Sequence, residues 1–510
     1  MFKMFEKFKK KLTSNPKSGS DTFINNAGEI FKYKIREYDT WYNGDADELN
    51  NFYRVANIDY LNNNPIYTTN DRQFFWSISQ IENQNFKKVH SGMPNAIIST
   101  LTNIVGAPKI DFKNASSKAN EEFDKILKDT GLLIMLQQKQ IPFTLVEGDG
   151  AIKINVANGE LYLEYYKALD FKPYYEGGKL KALEFFNYYQ VGEHTYTLIE
   201  KREIGLDGLY ITYKAFDDKD KETDPKFLDE NASDVLIRNY YNLLAIHSRF
   251  FENNYFANRG KSIFTGKVEL FDDLDLTLSQ ASATVRVSTP VEYYDSEVLE
   301  HDEDGNVKLP KIFNRQFVAK YSPLSGDGVS NGSDNGITTT QPNLNFSQYA
   351  AQVINLQDQI LNGIMSPATL GFNIGSNISG VSQREREKVT IQMRNNIIVP
   401  ESDIIKSLVK QILDVKTNFT YQVSTDDISV KFDEFATPTF DEELKVLGDA
   451  YSRNNLSTEM YVELLYKDKL SEDEKLLEIY RLNAEKQAEL LSTQEFINGE
   501  TRENENTKSN

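Results

Sequence analysis

The sequence predicts an α+β protein, in which helices and an antiparallel sheet occupy separate stretches of the chain. Residues 143–216 alternate apolar and polar side chains, are rich in Tyr, Val, Ile, Phe and Thr, and are divided by glycine-containing turns. That pattern is typical of consecutive antiparallel strands. On both sides of this stretch, apolar side chains recur every three or four positions, which indicates amphipathic helices. The chain has 510 residues, enough for about two to four structural units with buried cores.

The first 40 residues are predicted to be a flexible arm. Residues 1–12, MFKMFEKFKKKL, are basic and amphipathic, and residues 13–30 are rich in Ser, Asn, Gly and Lys, a composition typical of solvated chain. A solvated arm is the favoured interpretation of residues 1–12, and contact with a membrane surface is the alternative. Order is expected to begin near Trp41.

Helices are predicted before the sheet and again after it. Segment 41–55, WYNGDADELNNFYRV, combines an Asp-rich helix start with an apolar face. Residues 85–105 form an apolar helical run, and residues 116–140 extend from a serine cap signal towards Pro142. After the sheet and a charged linker, residues 234–256 are predicted to form a further helix.

Two helices separated by strand-like residues come next. Residues 262–289 and 343–365 each carry one narrow apolar stripe, as expected for helices that pack along a seam. Residues 291–342 between them are acidic and rich in Gly, Ser and Asp, with short strand-like pieces. The simplest geometry is two helical rods that run out and back, with a compact tip between them. The stripes consist of Phe264, Val268, Phe271, Leu274, Leu278, Ala281 and Val285, and of Phe346, Tyr349, Val353, Leu356, Ile360 and Ile364.

A neutral loop then meets a charged helix. Residues 366–382 carry no charge and are crowded with Gly, Ser and Asn, which favours a flexible connection. A helix is predicted from Gln383 to about Val415, with a kink or break at Pro400 because proline removes a backbone donor. Short strands at 419–435 and acid-rich helices over 438–491 follow, and residues 492–510 are predicted to be disordered.

Composition excludes several classes of function. The chain has no cysteine, so disulfides, thiolate nucleophiles and Cys-ligated zinc are ruled out. The formal net charge is −19, which disfavours broad adhesion to the negatively charged DNA backbone. No run of apolar residues is long enough for a membrane span.

No catalytic, cofactor or metal site is predicted. Nucleotide-binding and hydrolase motifs are absent, and the four histidines are scattered singly. The segment 300–311, EHDEDGNVKLPK, has carboxylates at calcium-loop spacing but Lys311 where a bidentate Glu is needed. An acidic turn is therefore the better interpretation.

A basic group lies at the start of the helix that follows the neutral loop. Arg384, Arg386, Lys388 and Arg394 could bind phosphate, but Glu385 and Glu387 interleave with the first three. A solvated face with internal ion pairs is one interpretation. Contact with nucleic acid or with a neighbouring subunit is the other.

Several stretches, taken in order, resemble the portal proteins of tailed bacteriophages, in particular those of phages that infect Gram-positive bacteria. They are WYNGDADELNNFY, RGKSIFTG, QPNLNFSQYAAQVINLQDQILNGIMSPATLGF, SGVSQREREKVTIQMRN and FDEFATPTFDEELKVLGDAYSRNNLS. The resemblance covers roughly residues 40–490. It implies a non-enzymatic ring of about twelve subunits at one capsid vertex, located in the virion after assembly in the host cytoplasm.

The resemblance also implies a role for each segment of a portal fold. The segments are a flexible arm (1–40), a wing (41–261 and 383–437), a stem of two helices (262–289 and 343–365), a clip (290–342), a tunnel loop (366–382), a helical crown (438–491) and a disordered tail (492–510). The tunnel-loop residues expected at the DNA channel are Gly371, Phe372, Asn373, Gly375, Ser376, Asn377, Ser379 and Gly380.

The partners implied are double-stranded DNA in the channel, the large terminase, the major capsid and scaffolding proteins, and head-completion, adaptor or tail proteins, with no membrane. Two alternatives stay open: a nucleic-acid-processing enzyme with a carboxylate metal site, and another virion component such as a tail or minor capsid protein.

Overall fold

The computed structural model shows an α+β protein that divides into two compact units. One unit comprises residues 1–374 and 387–433, and the other comprises residues 375–386 and 434–510. The structure describes residues 19–61, 74–77, 87–113, 117–157, 160–287, 291–295, 302–304, 316–320, 337–340, 346–372, 380–419, 424–433, 440–453, 455–466, 470–471 and 473–488. The predicted tail at 492–510 and the 324–336 part of the tip lie outside these residues.

The first unit begins with helices. They are α1 (Gly19–Asn43), α2 (Ala46–Leu61), α3 (Met93–Val105) and α4 (Ser117–Asp129). The prediction that order begins near Trp41 is wrong, because α1 starts at Gly19. Phe31, Ile35, Tyr38 and Trp41 share one face of α1 and are all buried. Burial of these four side chains outweighs the polar composition around them.

Helix also continues through Pro142, where the sequence predicted an end. A short helix α5 (Leu132–Met135) leads into a wide π-type turn (Leu136–Gln140) and then into α6 (Ile141–Glu147). The widened turn ends just before Pro142, which lies in the first turn of α6, so the helical chain passes this proline with a local irregularity instead of ending there. The first residues of the predicted sheet are therefore helical.

The predicted antiparallel meander is confirmed from Gly150 onwards. The strands are β2 (Gly150–Ala157), β3 (Glu160–Lys167), β4 (Phe171–Glu176), β5 (Lys179–Val191), β6 (His194–Ile204), β7 (Gly208–Phe216), β8 (Glu222–Thr223), β9 (Val235–Arg238) and β10 (Ala245–Ser248). One sheet has the order β10-β2-β3, and a second has the order β4-β5-β6-β7-β8 with β9 also paired to β7. Neighbouring strands in these sheets pair in antiparallel register, as in Val191 opposite His194.

The helix predicted over 234–256 is wrong. This segment supplies strands β9 and β10, which pair with β7 and β2. Asn239 and Leu244 between them have φ of 58° and 49°, a left-handed backbone that interrupts any helix. A short apolar run fits either a buried strand or a buried helix, so its pattern could not decide.

Two long helices and a small sheet follow, as predicted. The helices are α7 (Val268–Val287) and α8 (Phe346–Leu361), and the strands between them are β11 (Val291–Asp295), β12 (Gln316–Lys320) and β13 (Ile337–Thr340). Strand β11 is central, parallel to β12 and antiparallel to β13.

A single helix α9 spans Gly380–Lys416. It runs through Pro400, so a complete break at this proline is wrong. Beyond it, β14 (Ile428–Phe432) pairs with β1 (Pro108–Phe112).

The second unit is helical, as the sequence predicts for 438–491. It contains α10 (Phe440–Ser452), α11 (Thr458–Tyr466) and α12 (473–488). Tyr461, Val462 and Leu465 form its small buried core, and the rings of Tyr451 and Tyr461 stack 4.6 Å apart.

Candidate functional site

The helix pair α7 and α8, with the segment that joins it to α9, is the candidate site. Polar contacts at both ends fix the two helices as antiparallel. Lys267, just before α7, donates from Nζ to the carbonyls of Gln359 (2.8 Å) and Asn362 (3.0 Å) at the end of α8. Near the other end, Thr284 Oγ1 donates to the Tyr349 hydroxyl at 3.3 Å. A lysine suits the carbonyl-rich end of a helix because it satisfies unpaired acceptors.

The two apolar stripes are buried over only part of their length. Phe271 and Leu274 of α7 and Leu356 and Ile360 of α8 are at most 3% exposed. Towards the small sheet the same stripes open to solvent, with Val285 48% and Phe346 53% exposed. The pair therefore shares the main core at one end and presents apolar side chains at the other.

A row of polar side chains on α7 holds two neighbouring segments. Asp272 Oδ2 accepts from the Phe75 amide (2.7 Å), and Ser279 Oγ accepts from the Val89 amide (2.8 Å). These atoms supply hydrogen bonds that the buried amides would otherwise lack. Burial, opposed by the hydrogen bonds from the Phe75 and Trp76 amides, raises the pKa of Asp272 to about 7.

Asp275 is the centre of this row and is fully buried. It accepts from the indole nitrogen of Trp76 (3.1 Å) and from the Ser91 amide (2.8 Å), and it bonds to Nδ1 of His90 (2.7 Å). These roles were not predicted from the sequence. The i, i+3 and i+7 spacing of Asp272, Asp275 and Ser279 places them on one helix face, but it does not identify the distant segments that they bind.

The exposed surface of the pair is acidic or uncharged. Among the side chains that the structure describes on α7 and α8, every exposed one is a carboxylate, an amide, a hydroxyl or an apolar group. The exposed carboxylates are Glu269, Asp273 and Asp358, and the exposed amides are Gln280, Gln348, Gln352, Asn355 and Gln359. Such a face repels a polyanion at long range and makes no strong ionic contact with it.

The segment after α8 is folded against the core rather than loose. Ser366 caps a 3₁₀ turn, Pro367–Leu370, and its amide donates to Thr390 Oγ1 of α9 at 2.9 Å. The Thr369 and Thr390 hydroxyls are 2.8 Å apart. The predicted loop over 366–382 is thus wrong for its first residues, because their hydroxyls and capping bonds tie them to α9.

Three of the predicted tunnel-loop residues can be located. Gly371 ends the 3₁₀ turn with φ of 82°, Phe372 packs partly buried against the core, and Gly380 is the first residue of α9. Asn373, Gly375, Ser376, Asn377 and Ser379 lie outside the residues that the structure describes.

The four basic residues do not form one group. Arg384 and Arg386 lie in α9 with side chains outside the described set, and Lys388 is exposed. Arg394 is only 8% exposed, and its guanidinium donates to the backbone carbonyls of Ile104 (2.8 Å) and Asp433. Arg394 therefore anchors α9 to α3 and to the end of β14. The prediction that Arg394 could contact DNA or a neighbouring subunit is wrong, because its side chain is buried and bonded within the same chain.

The remaining polar features are internal. Glu401, next to Pro400, is fully buried and accepts from Gln140 at 2.8 Å, and burial raises the pKa of Glu401 to about 8.

Within the described residues, no group of three or more His, Asp or Glu side chains could hold a metal ion. No helix in that part of the chain is both long and apolar enough to cross a membrane.

Comparison with known proteins gave distant structural similarities. No known family profile matches the chain, and no curated protein matches it. Among solved structures, one similar chain comes from the neck of a native GTA particle computed with C12 symmetry: 10% identity, TM-score 0.38, covering 73% of this chain and 89% of that one. Another comes from the neck of an empty GTA particle computed with C6 symmetry: 9% identity, TM-score 0.39, covering 78% and 91%. TM-scores this low carry no argument about function.

Proposed function

We propose that the protein is a phage portal, a ring of about twelve identical subunits at one vertex of a capsid. Double-stranded DNA passes through the ring during packaging and leaves through it during ejection. The ring docks the large terminase, contacts the major capsid and scaffolding proteins, and later holds head-completion, adaptor or tail proteins. The role is structural and needs no catalytic group.

The antiparallel pair α7 and α8 is the observation that carries this proposal. Its two helices enclose a three-stranded sheet in the chain, α8 leads by a short segment into the long helix α9, and the exposed described side chains of the pair are acidic or uncharged. Duplex DNA carries one negative charge per roughly 1.7 Å, and cationic contacts hold it by counterion release. Among the side chains described on the pair, no cation is exposed, and a channel wall of that kind lets DNA slide.

In the proposed ring, residues 41–261 and 383–437 form the wing, α7 and α8 form the stem, and residues 290–342 form the clip. The tunnel loop is confined to the stretch between Phe372 and α9, since Ser366–Leu370 is bonded to Thr390. Residues 438–491 form the crown. The half-exposed ends of the apolar stripes, at Val285 and Phe346, suit contact between neighbouring stems.

Negative-stain electron microscopy of the purified full chain tests the proposal directly. The expected result is closed rings with a central channel, and rings at one vertex of particles that contain the protein. A protein that stays monomeric or dimeric under all conditions, including inside particles, would contradict it. DNA cleavage that depends on added Mg²⁺ or Mn²⁺ would favour the enzyme alternative instead.

Shortening the stretch between Gly371 and Gly380 tests the loop. We expect rings to assemble normally and DNA packaging or retention to fall, because the loop serves the channel and the interface lies elsewhere. Loss of ring assembly would show that the loop is structural.

The double variant Arg384→Glu/Arg386→Glu tests the helix start. A fall in packaging yield would support contact with DNA or a neighbouring subunit, whereas an unchanged yield would favour a solvated face. Glu385→Lys is the matched control, because it makes a charge reversal of opposite sign between the two arginines.

A further inference from the structure

A small cleft in the first unit lies where the loop after β10 approaches β4. It has a volume of about 230 Å³ and is lined chiefly by Tyr175, Arg249, Glu252, Asn253, Asn258 and Arg259. Two guanidinium groups and two amides in so small a space supply many donors and few acceptors. The proposed portal role uses none of them.

The loop that forms one wall is rigid. Asn253 Oδ1 accepts from the amides of Tyr255 (2.9 Å) and Phe256 (3.1 Å), and Asn253 Nδ2 donates to the Gly260 carbonyl at 3.1 Å. Gly260 lies so close to the Gly148 backbone that a Cβ on Gly260 would come within 1.8 Å of the Gly148 oxygen. The loop is thereby locked onto the end of α6.

One arginine of the cleft is fixed in place. Arg259 donates from one terminal nitrogen to Asp149 Oδ2 at 2.9 Å and from the other to the Phe171 carbonyl at 3.1 Å. The opposite wall is fixed as well, since the Tyr175 hydroxyl bonds to Nδ1 of His247 at 2.7 Å. Both walls therefore hold their shape without a ligand.

The other arginine has donors to spare. Arg249 lies over the Tyr175 ring at 5.5 Å, and its ion pair with Glu252 is long, at 3.8 Å, with the Glu252 side chain 85% exposed. A long and solvated pair contributes little. The five N–H donors of Arg249 thus lie beside a fixed second guanidinium, with Glu252 as a weak internal competitor.

We infer that this cleft binds a single oxyanion group, a carboxylate or a phosphate, between Arg249 and the Arg259 wall. The anion displaces the Glu252 carboxylate and forms charge-assisted hydrogen bonds with the Arg249 guanidinium, the geometry in which arginine binds such groups best. Asn253 and Asn258 line the remainder of the site.

Calorimetric titration of the full chain with inorganic phosphate, and separately with acetate, tests the inference at pH 7 and constant ionic strength. Saturable binding of either probe is expected. Tighter binding of phosphate points to a phosphate ester as the natural group, and binding of acetate that is equal or tighter points to a carboxylate side chain or chain end.

Two substitutions should move the affinity in opposite directions. Arg249→Gln should weaken binding about tenfold or more, because it removes the charge-assisted bonds, and Glu252→Gln should strengthen binding because the competitor is neutralised. Arg238→Gln, at an exposed position outside the cleft, is the matched control and should leave affinity unchanged. Circular dichroism checks that each variant is folded.

Three results would overturn the inference. They are the absence of saturable binding of both probes by the folded wild-type chain, equal affinity of wild type and a folded Arg249→Gln variant, and an equal loss of affinity in Arg238→Gln. Ring assembly is not needed for binding, so failure here is distinguishable from failure of the proposed portal function.

Discussion

Replacing Thr390 by valine should release the segment that joins α8 to α9. Thr390 is fully buried, its Oγ1 accepts from the Ser366 amide at 2.9 Å, and the Thr369 hydroxyl lies 2.8 Å away. Valine keeps the shape of threonine but removes both bonds. The buried Ser366 amide then lacks a partner, at a cost of about 1–3 kcal/mol, and the half-buried Thr369 hydroxyl loses about 0.5–1.5 kcal/mol more.

The expected loss is therefore about 1.5–4.5 kcal/mol in the free energy of opening this segment, the sum of the two contributions. Native-state hydrogen exchange measures that quantity in peptides that span Ser366 and Phe372. At 1.4 kcal/mol per tenfold, exchange should accelerate by roughly tenfold to a thousandfold. Peptides from the second unit should be unaffected and serve as the internal reference.

Thr390→Ser is the matched control, because it keeps the hydroxyl and loses only a methyl group. It should cost about 1 kcal/mol and accelerate exchange only about fivefold. If Thr390→Val and Thr390→Ser exchange at the same rate, the hydroxyl does not hold the segment, and residues 366–372 belong with the proposed tunnel loop after all.

Three further predictions follow from buried groups. Arg394→Met should lower the free energy of unfolding by about 1–3 kcal/mol, because the carbonyls of Ile104 and Asp433 lose the charged donor that the buried Arg394 side chain supplies. Gln392→Ala, at an exposed position, should change it by less than about 0.5 kcal/mol. Urea unfolding measures both. The pKa of Glu401 is raised to about 8, so the folded state binds more protons than the unfolded state between about pH 4.3 and that value. Wild-type stability should therefore fall with rising pH across this window relative to Glu401→Gln, by at most about 1.4 kcal/mol per pH unit, and parallel pH profiles would contradict this. Gly148→Ala should lower the melting temperature more than Gly178→Ala: both glycines have left-handed φ, but only the Cβ at position 148 would meet backbone, at 2.5 Å.

Local periodicity predicted the secondary structure correctly where the pattern of apolar residues fitted only one kind of element. The stripes at 262–289 and 343–365 predicted α7 and α8, and the alternation over 143–216 predicted most of the meander. The segment 234–256 failed because its apolar run fits strand and helix equally well. Only the partners β7 and β2, distant along the chain, decide that it is extended.

The hydrogen-bonding role of the polar residues on α7 could not be predicted from the sequence for a different reason. Asp272 and Asp275 look like solvated acids in the sequence, yet both are buried against the segments around Trp76 and Ser91. Nothing local marks a carboxylate as the acceptor for amides nearly two hundred positions away. Arg394 was misassigned in the same way, since its two carbonyl partners come from distant parts of the chain.

These buried acids change what the net charge implies for the proposed channel. The formal charge of −19 counts every carboxylate as solvated and ionised, but Asp272 has its pKa raised to about 7 and faces the core. The acidity that a passing polyanion would experience comes from the exposed carboxylates alone, such as Glu269, Asp273 and Asp358. On α8 the exposed polar side chains around Asp358 are mainly amides, so the described face of the helix pair is weakly acidic rather than densely charged. In the proposed portal, a weakly acidic wall repels DNA enough to prevent adhesion, yet it keeps the electrostatic cost of confining DNA in the channel low.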